Sequence, residues 1–280
     1  MSDNDDKTGK EKTKKPKWNR YQAIIIDIFE RNYRGGEEFE FSREEIEQTA
    51  IRLDLEPPKN LGDVIYTFRY RQRLPQPILD TQPEGLHWLI LGAGDARYRF
   101  RLSKLAYIVP TQGMMVRKIP DATPEIISQY ALTDEQALLA KIRYNRLIDV
   151  FLGIVAYSLQ NHLRTNIPNY GQIEIDELYV GIDTKGAQYI VPVQAKGGSD
   201  TLGVIQTIQD TIFCETQERY KNCIARPVSA QFMADETIAM FELHFDGNEV
   251  SIVREKHYRL TEASEIGEKD LAAYRLPEPD

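Results

Sequence analysis

Apolar side chains recur at helical spacing in three short segments at the start of the chain. The first segment, residues 18–33, ends at a pair of glycines and carries one apolar face: Tyr21, Ile24, Ile25, Ile28 and Phe29. A second helix is predicted to begin at Ser42, because Glu45 three residues later completes a capping box. Asn60 can cap a third helix, which is predicted to begin at Leu61 and to end before Pro75.

Two alternating segments, residues 86–91 and 97–102, are separated by Gly-Ala-Gly-Asp and predict a β-hairpin. Three short helices followed by a hairpin are typical of a winged helix-turn-helix, whose third helix enters the major groove of DNA. Six arginines at the end of the third helix and on one face of the second hairpin strand are candidate DNA contacts: Arg69, Arg71, Arg73, Arg97, Arg99 and Arg101. A small helical domain with a solvated, arginine-rich surface is the alternative.

The two ends of this first segment suggest where the domains divide. Residues 1–16 are polar and charged after Met1, so we expect a disordered tail, and its lysines either touch DNA non-specifically or are solvated. Residues 110–124 are marked by prolines and predict a linker. The chain is therefore interpreted as a winged-helix-like domain, residues 17–109, and a second domain, residues 125–280.

The second domain alternates helical and extended patterns. A broad apolar face predicts one helix from Thr133 to about Thr165. Strands are predicted at 172–182 and 188–196, a helix from about 200, and further strands at 225–233, 238–245 and 249–254. Pro192 lies inside the second of these strands and predicts an edge or a bulge there. The fold class is therefore α/β (α+β), a mixed sheet flanked by helices.

Polar side chains interrupt the two central strands on one face. Glu174 and Asp176 share a face of the first strand, and Gln194 and Lys196 share a face of the second. Pairing across the turn can bring Asp176 beside the other two, whereas Glu177 is expected to point away. A carboxylate, an amide oxygen and an ammonium group on one face suit Mg²⁺-assisted hydrolysis of a phosphodiester.

The acidic strand, the strand that ends in Gln-Ala-Lys, and the Gly-Gly and helix that follow resemble the PD-(D/E)xK nuclease superfamily. The Gln-Ala-Lys form is similar to that of Mrr-type restriction endonucleases. The resemblance covers residues 133–233 and implies a restriction-endonuclease-like fold. It implies that Asp176 and Gln194 hold Mg²⁺ and that Lys196 is the catalytic lysine, although an amide replaces the usual carboxylate at position 194.

The resemblance also implies further residues around the site. One residue of the preceding helix often joins it in this superfamily, and Gln160, or alternatively Asn161 or His162, is the candidate. Glu174 shares the face of Asp176 and can assist. From the following helix, Gln206 and Gln209 are expected to line the same cleft.

Charge and composition narrow the classes of function. A net charge of −8 argues against a general polyanion binder but permits a DNA enzyme with a local basic face. No apolar run approaches the roughly 20 residues that cross a bilayer, and the polar N-terminus is unlike a secretory signal, so we expect a cytoplasmic protein. Two cysteines cannot form a disulfide framework or a four-ligand zinc site.

The sequence therefore predicts a Mg²⁺-dependent, site-specific endonuclease that cuts double-stranded DNA in the manner of a restriction enzyme. The resemblance implies a homodimer, and a cognate methyltransferase encoded separately is a possible partner. One alternative is a non-catalytic DNA-binding regulator whose nuclease fold has degenerated at position 194. A modification-dependent or repair nuclease, or one directed at RNA, is a further alternative.

Overall fold

A computed structural model describes residues 18–130 and 135–276, apart from the single residues 169 and 199. The tail predicted to be disordered, residues 1–16, and the predicted start of the long helix at Thr133 lie outside the described residues. The described part is a mixed α/β structure in which helices flank a large mixed sheet, as the coarse fold class predicted. None of its helices is both long enough and apolar enough to cross a membrane.

The N-terminal part packs helices on a three-stranded antiparallel sheet of order β1-β3-β2. Its elements are α1 (Arg20–Asn32), β1 (Glu38–Ser42), α2 (Arg43–Arg52), α3 (Gly62–Tyr66), α4 (Gln76–Leu79), β2 (His87–Gly92) and β3 (Arg97–Ser103). Both Asn19 and Ser42 cap their helices in capping boxes. Strand β1 was not predicted, and the third helix is shorter than predicted, because α3 passes into a π-helical turn, Thr67–Arg71.

The C-terminal part is built on an eight-stranded sheet of order β5-β13-β12-β11-β8-β7-β6, with β10 paired to β8. Its strands are β5 (Val116–Pro120), β6 (Val155–Ile167), β7 (Gly171–Ile182), β8 (Gln188–Lys196), β10 (Ile224–Ala225), β11 (Val228–Phe232), β12 (Ile238–Phe245) and β13 (Val250–Thr261). Its helices are α5 (Glu125–Tyr130), α6 (Glu135–Tyr144), α7 (Leu147–Leu152), α8 (Val204–Thr216) and α9 (Glu268–Tyr274). A small pair, β4 (Tyr107–Ile108) and β9 (Leu202–Gly203), lies apart from this sheet.

The predicted helix from 133 to about 165 is wrong beyond residue 152. Two residues with left-handed backbone, Arg146 (φ 49°) and Gly153 (φ 68°), divide the segment into α6, α7 and the edge strand β6. After Gly153, buried and exposed apolar residues alternate along the chain: Ala156 is buried, for example, and Tyr157 is exposed. That alternation belongs to a strand, and over so few residues it also fits a helical pattern.

Two smaller predictions also need correction. Residues 116–120, predicted as part of a linker, form the edge strand β5, which pairs in parallel with β13. Pro192 lies in the interior strand β8, not at an edge. Its position faces the break between two neighbours, since β10 pairs with Tyr189 and Ile190 whereas β11 begins to pair at Val193. The pairing offset is the same on both sides of this break, so the ladder is interrupted where proline lacks the N–H that would donate to it.

The two faces of the large sheet are covered differently. Helices α6 and α7 pack on the face that carries Val191, Val193 and Ala195. Helix α8 covers the opposite face, and there the N-terminal hairpin joins the same core: Leu89 and Leu91 of β2, Val204, Ile205 and Ile208 of α8, and Ala239 and Phe241 of β12. The two predicted domains thus share a hydrophobic core.

Candidate active site

The polar residues of β7 and β8 meet where these two strands diverge. The antiparallel ladder between them runs from Ile182 and Gln188 to Glu177 and Val193. Beyond that pair, side chains replace the main-chain ladder: Asp176 Oδ2 accepts from the Ala195 N–H (2.8 Å). The divergence opens a fork at the end of β8, and the candidate site lies in it.

Asp176 is the buried carboxylate of the fork, with 8% of its surface exposed. Burial raises the pKa of the Asp176 carboxyl above its usual value, although the Ala195 N–H and the Lys196 ammonium favour its ionised form. Burying an ionised carboxylate is unfavourable unless a cation compensates its charge, so Asp176 is a suitable ligand for a cation.

The amide of Gln194 is held in one orientation. Its Nε2 donates to the Glu174 carbonyl oxygen (2.9 Å) and to Asp210 Oδ2 (2.8 Å). Its Oε1 accepts from Gln206 Nε2 (3.0 Å). The Glu174 carbonyl oxygen can only accept, so it fixes the amide with Nε2 towards it and with the oxygen towards Gln206, which lines the cleft.

Lys196 ends β8 and carries the positive charge of the fork. Its Nζ donates to Glu135 Oε1 at 2.6 Å, and Glu135 is the first residue of α6. Burial alone would lower the pKa of Lys196, but the hydrogen bond to Glu135 and the charge of Asp176 outweigh it and raise the pKa above the usual value. Lys196 is therefore an ammonium group at neutral pH.

The fork opens into a cleft of about 760 Å³ whose two walls come from the two parts of the chain. The wall on the side of the fork holds Glu135, Glu174, Asp176, Lys196, Gln206 and Gln209. The opposite wall comes from α3, the π-helical turn, the residues that follow this turn, and β4, and it holds Tyr66, Arg69, Tyr70, Arg71, Arg73 and Tyr107. Tyr70 joins the two walls, because its hydroxyl donates to Gln209 Oε1 at 2.7 Å.

Searches find no family model, no curated protein and no solved structure that matches this chain. The site is therefore interpreted from its own geometry.

The six candidate arginines fall into two groups. Those of β3 are engaged away from the cleft: Arg97 and Arg99 pair with Glu40 of β1 (2.9 and 2.7 Å), and Arg101 donates to the Asn248 carbonyl oxygen (2.6 Å). Arg69, Arg71 and Arg73 instead line the cleft opposite the fork. The sequence did not predict strand β1. Its glutamates pair with arginines of β3, and the arginines that line the cleft are not among their partners.

The candidates expected on a preceding helix lie on the edge strand β6. Gln160 is exposed there and lies opposite Leu178. Neither Gln160 nor Asn161, which is also exposed, lines the cleft. His162 does line the cleft, with its Nδ1 3.8 Å from Glu174 Oε1. The earlier helix that reaches the fork is α6, which contributes Glu135.

The two other glutamates of β7 differ in their surroundings. Glu174 is partly exposed and pairs with Arg164 (3.1 Å) at the rim of the cleft. Glu177 is fully buried on the other face, where its Oε1 accepts from Arg143 (2.7 Å) and from the Ser158 hydroxyl (2.6 Å). Glu177 therefore has a structural role.

The sequence analysis missed Glu135 and Asp210. Asp210 is buried in the middle of α8, one helical turn after Gln206, and this spacing on a helix that follows the Gln-Ala-Lys strand could have suggested it. Glu135 has no comparable signal, because only the packing of α6 against the sheet brings it to Lys196.

The donor set is compatible with a hydrated Mg²⁺ ion. In the described part of the chain, no three His, Cys, Asp or Glu side chains converge on one metal position. Asp176 supplies one carboxylate, and the Gln194 oxygen has a second lone pair besides the one used by Gln206. Mg²⁺ is usually held by one or two carboxylates together with substrate phosphates and retains several waters, so Asp176 is the candidate carboxylate ligand and the Gln194 oxygen a neutral one.

Asp210 predicts a pH-dependent stability. Its burial, together with the charge of Asp176, raises its pKa well above the usual value despite the hydrogen bond from Gln194. Between the ordinary and the raised pKa the folded chain holds a proton that the unfolded chain releases, so stability falls as pH rises. Asp210→Asn removes this titration while an amide oxygen still accepts from Gln194. We expect the free energy of unfolding of Asp210→Asn, measured in urea, to rise relative to that of the wild type between pH 5 and pH 8.

A matched control has the opposite sign. The Glu249 and Asn248 N–H groups lower the pKa of the exposed Asp246 carboxyl, so Asp246→Asn should lose stability relative to wild type as pH rises. An equal pH profile for Asp210→Asn and wild type would contradict the assignment of a proton to Asp210.

Proposed function

We propose that this chain is a Mg²⁺-dependent endonuclease that hydrolyses phosphodiester bonds in DNA. The observation that carries the proposal is the fork between β7 and β8. There Asp176 and the ammonium of Lys196 line a cleft whose opposite wall is rich in arginine, and the buried, oriented amide of Gln194 contacts the cleft residue Gln206. A restriction-endonuclease-like core and a winged-helix-like N-terminal part are the corresponding fold proposals. The restriction role, the dimer and the methyltransferase remain predictions from the sequence.

The groups of the fork have distinct roles in this proposal. Asp176 and the Gln194 oxygen are the ligands of the cation, and Asp210 and Gln206 hold that oxygen in place. When bound, Mg²⁺ supplies Lewis-acid polarisation of the phosphate and makes water a stronger nucleophile. These residues therefore determine where the phosphate is placed.

Lys196 stabilises negative charge. Because its pKa is raised, Lys196 Nζ holds its proton at neutral pH and donates hydrogen bonds, rather than removing a proton from water. The partner carboxylate Glu135 accepts one of its three N–H groups, which leaves the others for a phosphate oxygen. A fixed ammonium stabilises the charge that develops on the phosphate in the transition state.

The test offers both paired and unpaired DNA. Supercoiled plasmid, methylated or unmethylated, and single-stranded circular DNA are incubated with the protein in Mg²⁺ or in EDTA. We expect cleavage only in Mg²⁺, and Asp176→Asn should lower its rate at least about 100-fold, because metal-assisted charge stabilisation is worth several kcal/mol. Asp95→Asn, an exposed change in the β2–β3 turn, is the control and should cut at the wild-type rate.

Absence of cleavage in every arm would contradict the proposal. If DNA binding were retained in that case, the non-catalytic regulator would become the better interpretation. Cleavage that persists in EDTA would exclude the cation from the reaction.

A further inference from the structure

The wall opposite the fork presents tyrosines that are paired with arginines. The Arg71 guanidinium lies 4.8 Å from the centre of the Tyr66 ring, and that of Arg73 lies 5.8 Å from the centre of the Tyr107 ring. Tyr66 is 48% exposed and Tyr107 36% exposed, although tyrosines usually bury more of their surface. Aromatic surface left open in a cleft that also holds catalytic groups is available to a ligand.

Two of the three arginines of this wall are available to bind anions. Within residues 18–130 and 135–276, Arg71 and Arg73 have no carboxylate partner, in contrast to Arg97 and Arg99, which share Glu40. Arg69 lies deeper, where its Nε donates to the Ile90 carbonyl oxygen at 2.7 Å. The wall thus combines positive charge with ring faces, as grooves that bind single-stranded nucleic acid do.

The third helix is poorly suited to reading a major groove. A recognition helix needs several side chains that reach base edges. Helix α3 spans only Gly62–Tyr66, and Val64 and Ile65 are buried in the core of the N-terminal part. Its continuation is the π-helical turn, whose Arg69 and Arg71 line the cleft. The surface expected to approach duplex DNA is therefore part of the catalytic cleft.

The size of the cleft favours an unstacked nucleotide. Its volume of about 760 Å³ is in the range of pockets that hold one small ligand, roughly 300–1,000 Å³. Protein forms both of its walls, and a base can lie against a ring inside it only when that base is unpaired, because a paired base is stacked within the duplex. An unpaired strand meets no such barrier.

We propose that this cleft binds an unpaired DNA strand, with a base against Tyr66 and the flanking phosphates against Arg71 and Arg73. The assignment of the scissile phosphate to Asp176 and Lys196 rests on the proposed function, whereas the binding of the strand does not. The unpaired nucleotide comes either from single-stranded DNA or from a nucleotide flipped out of a duplex.

Binding is measured without cleavage. The probe is fluorescein-labelled dT12, followed by anisotropy in EDTA, and the comparison is a mixed-sequence duplex of 12 base pairs. We expect Tyr66→Ala to weaken dT12 binding about tenfold, since stacking of a base on an aromatic ring is worth roughly 1–3 kcal/mol. Tyr66→Phe keeps the ring face and should restore binding.

The matched control is Tyr157→Ala. Tyr157 is also exposed, and the Arg146 guanidinium lies 5.9 Å from the centre of its ring. Because Tyr157 lies outside the cleft, this substitution should not change dT12 binding. In a salt titration, Arg71→Ala should reduce the slope of log K against log salt by about 0.7, the value for one phosphate contact with a single strand.

The outcomes separate the sources of the nucleotide. Tighter binding of dT12 than of the duplex, lost in Tyr66→Ala, supports a single strand. Duplex binding that also depends on Tyr66 supports a flipped nucleotide. Equal dT12 binding by Tyr66→Ala and Tyr157→Ala would overturn the proposal, even if the protein cleaves DNA. Tyr66-dependent binding without cleavage in Mg²⁺ would keep this inference and contradict the nuclease.

Discussion

Lys196→Ala is expected to lower the rate of Mg²⁺-dependent DNA cleavage by about 100- to 1,000-fold, the usual effect of removing one charge-stabilising donor. The expectation follows from the position of the Lys196 Nζ, which is anchored to Glu135 and lies in the fork beside Asp176. Binding of dT12 should change little, because Arg71 and Arg73 lie on the opposite wall. Single-turnover rates at saturating protein, with binding measured separately, test both statements.

Lys185→Ala is the control for that experiment. Lys185 is exposed in the turn that joins β7 and β8, the same two strands that form the fork. Its removal changes the net charge equally and should leave the rate unaltered. Equal cleavage rates for the two variants would show that Lys196 takes no part in the reaction. If Lys196→Ala only weakened DNA binding and left the single-turnover rate unchanged, Lys196 would be a substrate contact.

Phe241→Ala is expected to lower the free energy of unfolding by about 3–5 kcal/mol, the usual cost of removing a buried aromatic side chain. Phe241 is 0% exposed and belongs to the core that β12 and α8 share with β2. The loss should be visible as a lower midpoint in urea with an unchanged m-value. Because both parts of the chain share this core, one cooperative transition is expected.

The control for stability is Val253→Ala on the neighbouring strand β13. Val253 is 58% exposed, and substitutions at such surface positions usually change stability by no more than about 0.5 kcal/mol. Two separate transitions in Phe241→Ala, with only one of them shifted, would contradict a shared core.

The strands that carry the fork could be predicted because their pattern is local. Alternation along 172–182 and 188–196 located β7 and β8 and separated the buried Val191 and Val193 from the polar Gln194. The capping box at Ser42 is equally local, since residue i contacts residue i+3. The alternation could not predict that the two strands diverge at Asp176, because this divergence depends on side chains of both strands acting together.

Other errors arose where a pattern fits two structures. Val155 to Leu159 is compatible with a helix and with an edge strand, and the left-handed Gly153 decides between them. Strand β1 is five residues long and pairs with β3, which lies more than fifty residues later. Glu135 and Asp210 reach the site only through packing of α6 and α8 on the sheet, and single-sequence patterns do not encode such distant contacts.

The shared core of β2, α8 and β12 has a consequence for engineering. Fusion nucleases are assembled by detaching a cleavage module from its targeting module and attaching another. Here such an exchange would break the core, since Leu89 and Leu91 cover part of α8 and β12. It would also remove one wall of the cleft, which Tyr66 and Arg71 supply. Changing the substrate preference of the proposed nuclease would therefore require substitutions of individual residues on that wall rather than an exchange of whole domains.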